Sequence, residues 1–154
     1  MVKVPAYIFD IDGTLSDCSQ RKHFVEQEVK DWDNFYKGMA EDEPNWDVIN
    51  ILNKILLSNF SGKILFVTGR PESYREVTEY WLAKYFRELN AYNCKIFMRK
   101  DGDYRSDAVI KKELWETVLE PIYDCYGVFE DRKQVVDMYR ELGLTVFQVA
   151  EGNF

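Results

Sequence analysis

An α/β fold, a three-layer sandwich around a mostly parallel sheet, is what this 154-residue sequence predicts. Three observations carry that expectation. Apolar runs of strand length alternate about five times with segments of helical apolar spacing. Each apolar run ends in a polar or glycine-containing turn, and no repeat, low-complexity tract or linker interrupts the series. Parallel strands need crossover connections, usually helices, so the alternation covers both faces of the sheet. With 46% hydrophobic residues the chain can bury a real core as one domain over 1–154, without room for a second catalytic domain.

The first strand is the run Ala6-Tyr7-Ile8-Phe9, which leads into Asp10-Ile11-Asp12-Gly13-Thr14-Leu15. Gly13 is conformationally free and Thr14 can bond a nearby backbone group, so the strand turns there. A helix capped by Asp17 or Ser19 follows through Arg21, Phe24, Val25 and Val29, its end blurred by Asp31-Trp32-Asp33-Asn34. Glu41-Asp42-Glu43-Pro44 reads as a solvated loop. Asn45 then caps a helix in which Val48, Ile49, Ile51, Leu52, Ile55 and Leu56 recur at helical spacing, ending near Ser61-Gly62. Lys63-Ile64-Leu65-Phe66-Val67 is the second strand, closed by Thr68-Gly69-Arg70-Pro71. The helix expected over 72–89 places Val77, Trp81, Tyr85 and Leu89 on one face. After the strand Lys95-Ile96-Phe97-Met98 and a polar loop over 99–105, Ser106 or Asp107 starts a helix with Val109, Ile110, Leu114, Trp115 and Val118 inward. Pro121 ends it. Cys125-Tyr126-Gly127-Val128-Phe129 runs into Glu130-Asp131-Arg132, a helix with Val135, Val136, Tyr139 and Leu142 stops before Gly143, and residues 144–149 form the last strand.

Side chains alternate along a strand, so Asp10 and Asp12 share a face at its carboxyl end, where ligands bind in open α/β sheets. Two acids so close repel, and burying both ionised is costly unless a cation lies between them or one keeps its proton. A lone D-x-D-G is as well explained by a solvated turn; D-x-D-G-T directly after an apolar strand is far more specific. It resembles the first motif of the haloacid dehalogenase (HAD) superfamily of phosphotransferases, which implies a Rossmann-like sheet and three further motifs in a set order. Thr68, after the second strand, falls where the second motif belongs, and its hydroxyl with the Gly69 N–H could hold a phosphate oxygen near a helix N-terminus. Lys111 is the third-motif candidate, on the same helical face as Asp107 four residues earlier, placed to neutralise a phosphoryl group while Asp107 orients it. Glu130 and Asp131 are the fourth. With Asp10 and Asp12 they form an oxygen ligand set suited to Mg²⁺, which keeps several waters and takes few carboxylates.

Composition limits the partners. A formal charge of −7 opposes a large sequence-independent nucleic-acid surface, so any contact with nucleic acid should be local. Cys18, Cys94 and Cys125 are widely spaced without a C-x-x-C pair, which indicates neither a disulfide framework nor a zinc site and suits a reducing cytosol. No apolar window approaches transmembrane length, and Asp10 and Asp12 interrupt any signal-like segment, so an intracellular, cytoplasmic protein is expected. His23 is the sole histidine and reads as a helix-surface residue, and neither G-x-S-x-G nor a P-loop occurs, which removes serine-triad and P-loop kinase chemistry. Aromatic residues make up 16%, many for one small core, and could mark a self-association face.

Within the superfamily the chain is similar to the phosphatase domains of bacteriophage polynucleotide kinase-phosphatases, over nearly its whole length. The likeness is carried by Ile8 to Leu15, Thr68-Gly69-Arg70, Tyr104-Arg105-Ser106-Asp107 through Lys111, Glu130-Asp131-Arg132-Lys133-Gln134-Val135-Val136 and the ending Gln148-Val149-Ala150-Glu151-Gly152-Asn153-Phe154. It implies a phosphomonoesterase acting on 3′-phosphorylated DNA or RNA ends, with Mg²⁺, in the cytoplasm of a phage-infected bacterium. It also implies functional roles for Arg21 and Arg70, which would grip substrate together with Gly69, Asp107 and Arg132. No kinase segment accompanies these motifs, so 5′-phosphorylation is not implied. Thr68 stands where Ser is also used, and Glu130 stands where Asp is expected, which favours Asp131 as the nearer metal ligand.

The expected mechanism has two steps. Asp10 attacks phosphorus to give an aspartyl-phosphate; Asp12, keeping a proton through its proximity to Asp10 and meeting Mg²⁺ through its backbone carbonyl, donates to the departing alcohol and then acts as base toward water. The segment between Asp17 and Pro44 is too short for a large cap domain, which leaves a cleft open to a polymer end. Three rivals remain. A phosphatase of nucleoside monophosphates or other small esters would use the same scaffold. A receiver-like signalling domain would need its phospho-accepting Asp after the third strand, where Arg99-Lys100 stand instead. A binding module for phosphorylated ends would not need Asp10, Asp12 and Lys111 together.

Overall fold

In chain order the elements are β1 (Val4–Phe9), β2 (Ser16–Asp17), α1 (Ser19–Glu26), α2 (Trp32–Lys37), β3 (Glu43–Pro44), α3 (Trp46–Leu56), β4 (Lys63–Pro71), α4 (Arg75–Tyr85), β5 (Cys94–Arg99), α5 (Asp107–Leu114), β6 (Tyr123–Arg132), α6 (Lys133–Glu141) and β7 (Val146–Gly152). They come from a computed structural model, which describes residues 1–152; Asn153 and Phe154, the end of the terminal stretch quoted above, lie outside the described residues. Five strands form one parallel sheet in the order β5-β4-β1-β6-β7. From central β1 the chain crosses to β4 on one side and later to β6 on the other, so the strand order switches at the carboxyl end of β1. That is where a crevice opens in sheets of this type.

The two-residue period of the strands sorts the core into two layers. Phe9, Ile64 and Phe66 face Ile49, Leu52, Trp81 and Leu82 of α3 and α4. Ala6, Ile8, Leu65, Val67 and Val128 face the other way, onto Trp115, Val135, Val136 and Tyr139. The three-layer α/β sandwich is therefore as expected, with strands that extend further than their apolar runs.

Elsewhere the pattern misled. Val29 is exposed beyond the end of α1, and α2 is an additional short helix, capped by Asp31, whose carboxylate accepts from Asn34 N–H at 3.1 Å. The stretch expected as a solvated loop starts at the end of a 3₁₀ turn (Met39–Glu41) and runs into strand β3, paired with β2, with Asp42 buried between them. Asn45 precedes α3, but its side chain donates to the Thr14 carbonyl instead of capping, and α3 ends at Leu56 with Ile51 on its exposed side. The inward face of α4 is Thr78, Trp81 and Leu82, and the helix stops at Tyr85. Thr68 lies inside β4, which runs on to Pro71 and a 3₁₀ turn (Glu72–Tyr74) before α4, so it is not at a helix N-terminus.

The largest shift is in α5. Val109 is 48% and Val118 39% exposed, while Asp107, Lys111, Trp115 and Leu119 point inward, the last two in a π-helical turn (Trp115–Leu119). Apolar spacing cannot reveal this face because two of its four inward positions are charged. Between β2 and β3 lie α1, α2 and the 3₁₀ turn, with the two helices closed over a small core of Cys18, Val25 and Phe35, so there is no large cap. His23 is exposed on α1, and no helix among the described residues is long and apolar enough to cross a membrane.

The corrected α5 face can be checked by urea unfolding. Leu119→Ala should cost about 2–5 kcal/mol, as buried leucine truncations do, whereas Val109→Ser should stay within about 0.5 kcal/mol of wild type.

Candidate active site

The turn after β1 sets the geometry. Asp10 N–H donates to the Phe129 carbonyl at 3.0 Å, fixing the end of β1 against β6. Thr14, Leu15 and Ser16 N–H groups all converge on the Ile11 carbonyl, and Gly13 takes φ +84°. A side chain on Gly13 would be strained in that conformation and would collide with the Asp131 carboxylate. Thr14 Oγ1 donates to Asp131 Oδ1 at 3.1 Å, so one tight turn places Asp10 and holds Asp131.

Around Lys111 the first charged group assembles. Its Nζ, 1% exposed, lies 2.9 Å from Asp10 Oδ1, 2.9 Å from Glu130 Oε2 and 3.1 Å from Asp107 Oδ2. Burial alone would lower the pKa of the lysine, but Asp10, Asp107 and Glu130 hold it well above the usual value. Asp10 is pushed well up by burial and by Glu130, despite Lys111. Burial and Asp10 raise Asp131 to about 7; Glu130 reaches about 7 through burial, against Lys111. One ligand oxygen from each of Asp10, Glu130 and Asp131 lies within 4.8 Å of the others.

This donor set fits a hard divalent cation. Three carboxylates beside one ammonium leave two formal negative charges out of water, and burial first, with the neighbouring acids adding to it, raises all three carboxyl pKa values. The remaining acid, Asp107, is flanked by Arg99 at 3.7 Å and Arg132 at 3.8 Å. Glu130 is the more encumbered fourth-motif acid: Oε2 accepts from Lys111 and Oε1 from the Asp131 and Arg132 N–H groups.

A second group lies beneath Asp12. Arg21 Nη2 donates to Asp12 Oδ1 at 2.5 Å and to Asp42 Oδ2 at 2.5 Å, with Nε on Asp42 Oδ1 at 2.8 Å. Arg70 meets Asp12 through Nε at 3.0 Å and Nη2 at 2.7 Å, and donates from Nη1 to Thr78 Oγ1. Two arginines and two aspartates make a neutral buried quartet of charge-assisted bonds. Burial would raise Asp12, but Arg70 and Arg21 bring it well below the ordinary carboxylate range.

Three expectations change here. Asp12 is paired with two guanidiniums that lower its pKa and favour the carboxylate, and that carboxylate lies outside the acidic cluster formed by Asp10 with Glu130 and Asp131. Arg21 and Arg70, 2% and 0% exposed, are built into the floor and do not present themselves to the cleft. Asp42, set aside as loop, completes their pairing; its only sequence signal was an acid between two others. Thr68 is buried beside them, its Oγ1 accepting the Arg70 N–H at 3.2 Å. Gly69 lets Asp107 approach, since a Cβ there would run into the Asp107 carboxylate.

A cleft of about 630 Å³ opens from Asp10 and Asp12, past Gly69, between the side of α2 and the 99–107 segment. Its cationic lining includes Arg132 and also Arg99, a residue no motif marks. Arg99 Nε donates to the Gly69 carbonyl at 2.9 Å.

Comparison with known proteins gives the family. The family model described as Polynucleotide kinase PNKP phosphatase domain matches residues 4–154. A protein of Autographa californica nuclear polyhedrosis virus named "Putative bifunctional polynucleotide kinase/RNA ligase" is 33% identical over 145 residues, covering 94% of this chain and 19% of that protein. Among solved structures, a chain of the Pnkp1/Rnl/Hen1 RNA repair complex is 35% identical with a TM-score of 0.79, over 98% of this chain and 44% of that one. A second Pnkp1/Rnl/Hen1 structure gives 33% identity and a TM-score of 0.78, over 100% of this chain and 49% of that one. The chain thus spans less than half the length of each of these relatives.

The quartet makes a stability prediction. Asp42→Ala leaves two buried guanidiniums facing one carboxylate and should cost about 3–5 kcal/mol in urea unfolding.

Proposed function

Because the chain belongs to the family of polynucleotide kinase PNKP phosphatase domains, we propose that residues 1–154 act as one HAD-type phosphatase unit that removes 3′-phosphates from polynucleotide ends. The observation that carries this reading is the meeting of Asp10, Glu130 and Asp131 around Lys111 at the foot of an open cleft. That constellation suits attack on phosphorus by a carboxylate, with the positive charge needed by the phosphoryl oxygens already in place.

Asp10 Oδ attacks phosphorus in line, forming an aspartyl-phosphate as the P–O bond to the 3′ oxygen breaks. Lys111, with Thr68 and the Gly69 N–H, stabilises the transferring phosphoryl oxygens; Thr68 Oγ1 accepts from Arg70 N–H and so keeps its own proton to donate. Mg²⁺ would be held by Asp10, Asp131 and Glu130, with the Asp12 carbonyl, and would neutralise the attacking carboxylate and the phosphoryl group. In the second step Asp12, kept ionised by Arg21 and Arg70, takes a proton from water, which attacks the acyl phosphate and releases inorganic phosphate. For the first step the proton delivered to the departing 3′ oxygen enters with the ester as its monoanion and passes through Asp12. Arg99 and Arg132 line the path of the polymer, and Asp107 orients both them and Lys111.

The test is phosphate release from a 3′-phosphorylated oligonucleotide, its 5′-phosphorylated isomer and nucleoside 3′- and 5′-monophosphates, with Mg²⁺ or with EDTA. Release should be confined to 3′-phosphates, be highest on the oligonucleotide and stop with EDTA. Reaction of mononucleotides alone would remove the polynucleotide assignment. Asp10→Asn should lower turnover on the order of 10³-fold or more, and Lys111→Ala about 10²–10³-fold. Unchanged turnover in Asp10→Asn would exclude the covalent step.

A further inference from the structure

The cleft has two unlike walls. One carries Arg99 and Arg132; the other is aromatic, formed by Trp32 and Tyr36 on successive turns of α2 and by Tyr74 in the 3₁₀ turn after β4. Trp32 and Tyr36 lie nearly parallel, with centroids 5.9 Å apart and an interplanar angle of 23°. Tyr74 continues the row 5.3 Å from Tyr36. The walls meet at one atom, the Gly69 carbonyl, which accepts from Tyr36 OH at 3.2 Å and from Arg99 Nε at 2.9 Å. Neither α2 nor this row was visible in the sequence motifs, and the phosphoryl chemistry uses none of its rings.

Packing of α2 does not require all three rings. Phe35 is the fully buried anchor of the helix: it is 2% exposed, sits edge-on to Trp32 and Tyr36, which pack against it from the side, and carries the Arg21 guanidinium 4.3 Å above its ring. Trp32, Tyr36 and Tyr74 are only half-buried and line the cleft, with Lys30 Nζ 5.6 Å from the Trp32 ring. An aromatic row opposite a cationic row is the complement of a single strand, whose bases offer π-faces on one side and whose backbone offers charge on the other.

We propose that the Trp32–Tyr36–Tyr74 wall is a stacking platform for the unpaired bases next to a scissile 3′-phosphate, and that it makes single-stranded ends and overhangs the preferred substrate. In a flush end only the outer face of the last base pair is free, while the bases behind it are paired and stacked on both faces, so successive bases cannot lie along this wall without fraying. The inference rests on the phosphatase reading above and adds the form of the polynucleotide.

The test compares kcat/KM for a 3′-phosphorylated single strand with that for 4-nitrophenyl phosphate, which has no base to stack. In Trp32→Ala this ratio should fall roughly 5- to 150-fold, the loss expected from one base stack, and in Trp32→Phe it should stay near wild type. The wild-type protein should also prefer a 3′ overhang to a blunt end, and Trp32→Ala should narrow that preference. A ratio unchanged in Trp32→Ala, or reduced equally in both variants, overturns the platform while leaving the phosphatase reading intact. Wild-type protein that releases no phosphate from any oligonucleotide sinks the phosphatase reading instead. A second measurement does not depend on the folding of Trp32→Ala: a 3′-phosphorylated strand with 2-aminopurine at its terminal nucleotide, bound by Asp10→Asn, should lose fluorescence through stacking. Bound strand with unchanged emission, or no binding, overturns the platform.

Discussion

Carboxylates leave water at the edge of this sheet only where positive charge goes with them, and the elements around the cleft are disposed to meet that condition. Asp12 and Asp42 are matched by Arg21 and Arg70 in a quartet that is neutral as it stands. Asp107 is matched by its neighbours Arg99, Arg132 and Lys111. Asp10, Glu130 and Asp131 are not matched by Lys111 alone, and burial with mutual repulsion raises their pKa values. The site is thus neutral on one side and short of positive charge on the other.

That contrast separates two aspartates only two residues apart. Alternation along β1 would have left Asp10 and Asp12 on one face as competitors for one proton, but the turn at Gly13 sends them to different surroundings. Asp10 is turned toward Lys111 and the acids of β6; Asp12 is turned toward the guanidiniums that reach it from α1 and β4. Local environment, more than mutual repulsion, sets their ionisation, which suits the separate roles proposed for them.

The sheet topology explains why side chains so far apart in the chain reach one place. β1 is flanked by β4 and β6, so the ends of all three strands open at the same edge. α5 crosses that edge with Asp107 and Lys111 on its inner face, and two missing side chains allow the approach: one at Gly69 for Asp107, one at Gly13 for Asp131. The quartet also ties α1 and the turn before β3 to β4, which seats the aromatic side of α2 over the cleft.

Periodicity and strand-end chemistry, both local, determined much of this protein. Alternating apolar runs foretold the parallel sheet, and Asp10, Asp12, Thr68, Lys111, Glu130 and Asp131 stood out because each follows a strand or lies on a helix at a recognisable spacing. Tertiary structure decided what those residues meet. Asp42 looked solvated because its neighbours are acidic and a proline follows, yet partners twenty-one residues away or more bury it. The inward face of α5 was hidden because charged residues occupy it, and their burial is favourable only with acids and bases brought by other elements. Arg21 and Arg70 became floor instead of grips for the same reason. A side chain's type is written in the chain, but its charge state and its exposure depend on neighbours that only folding brings within a few ångströms.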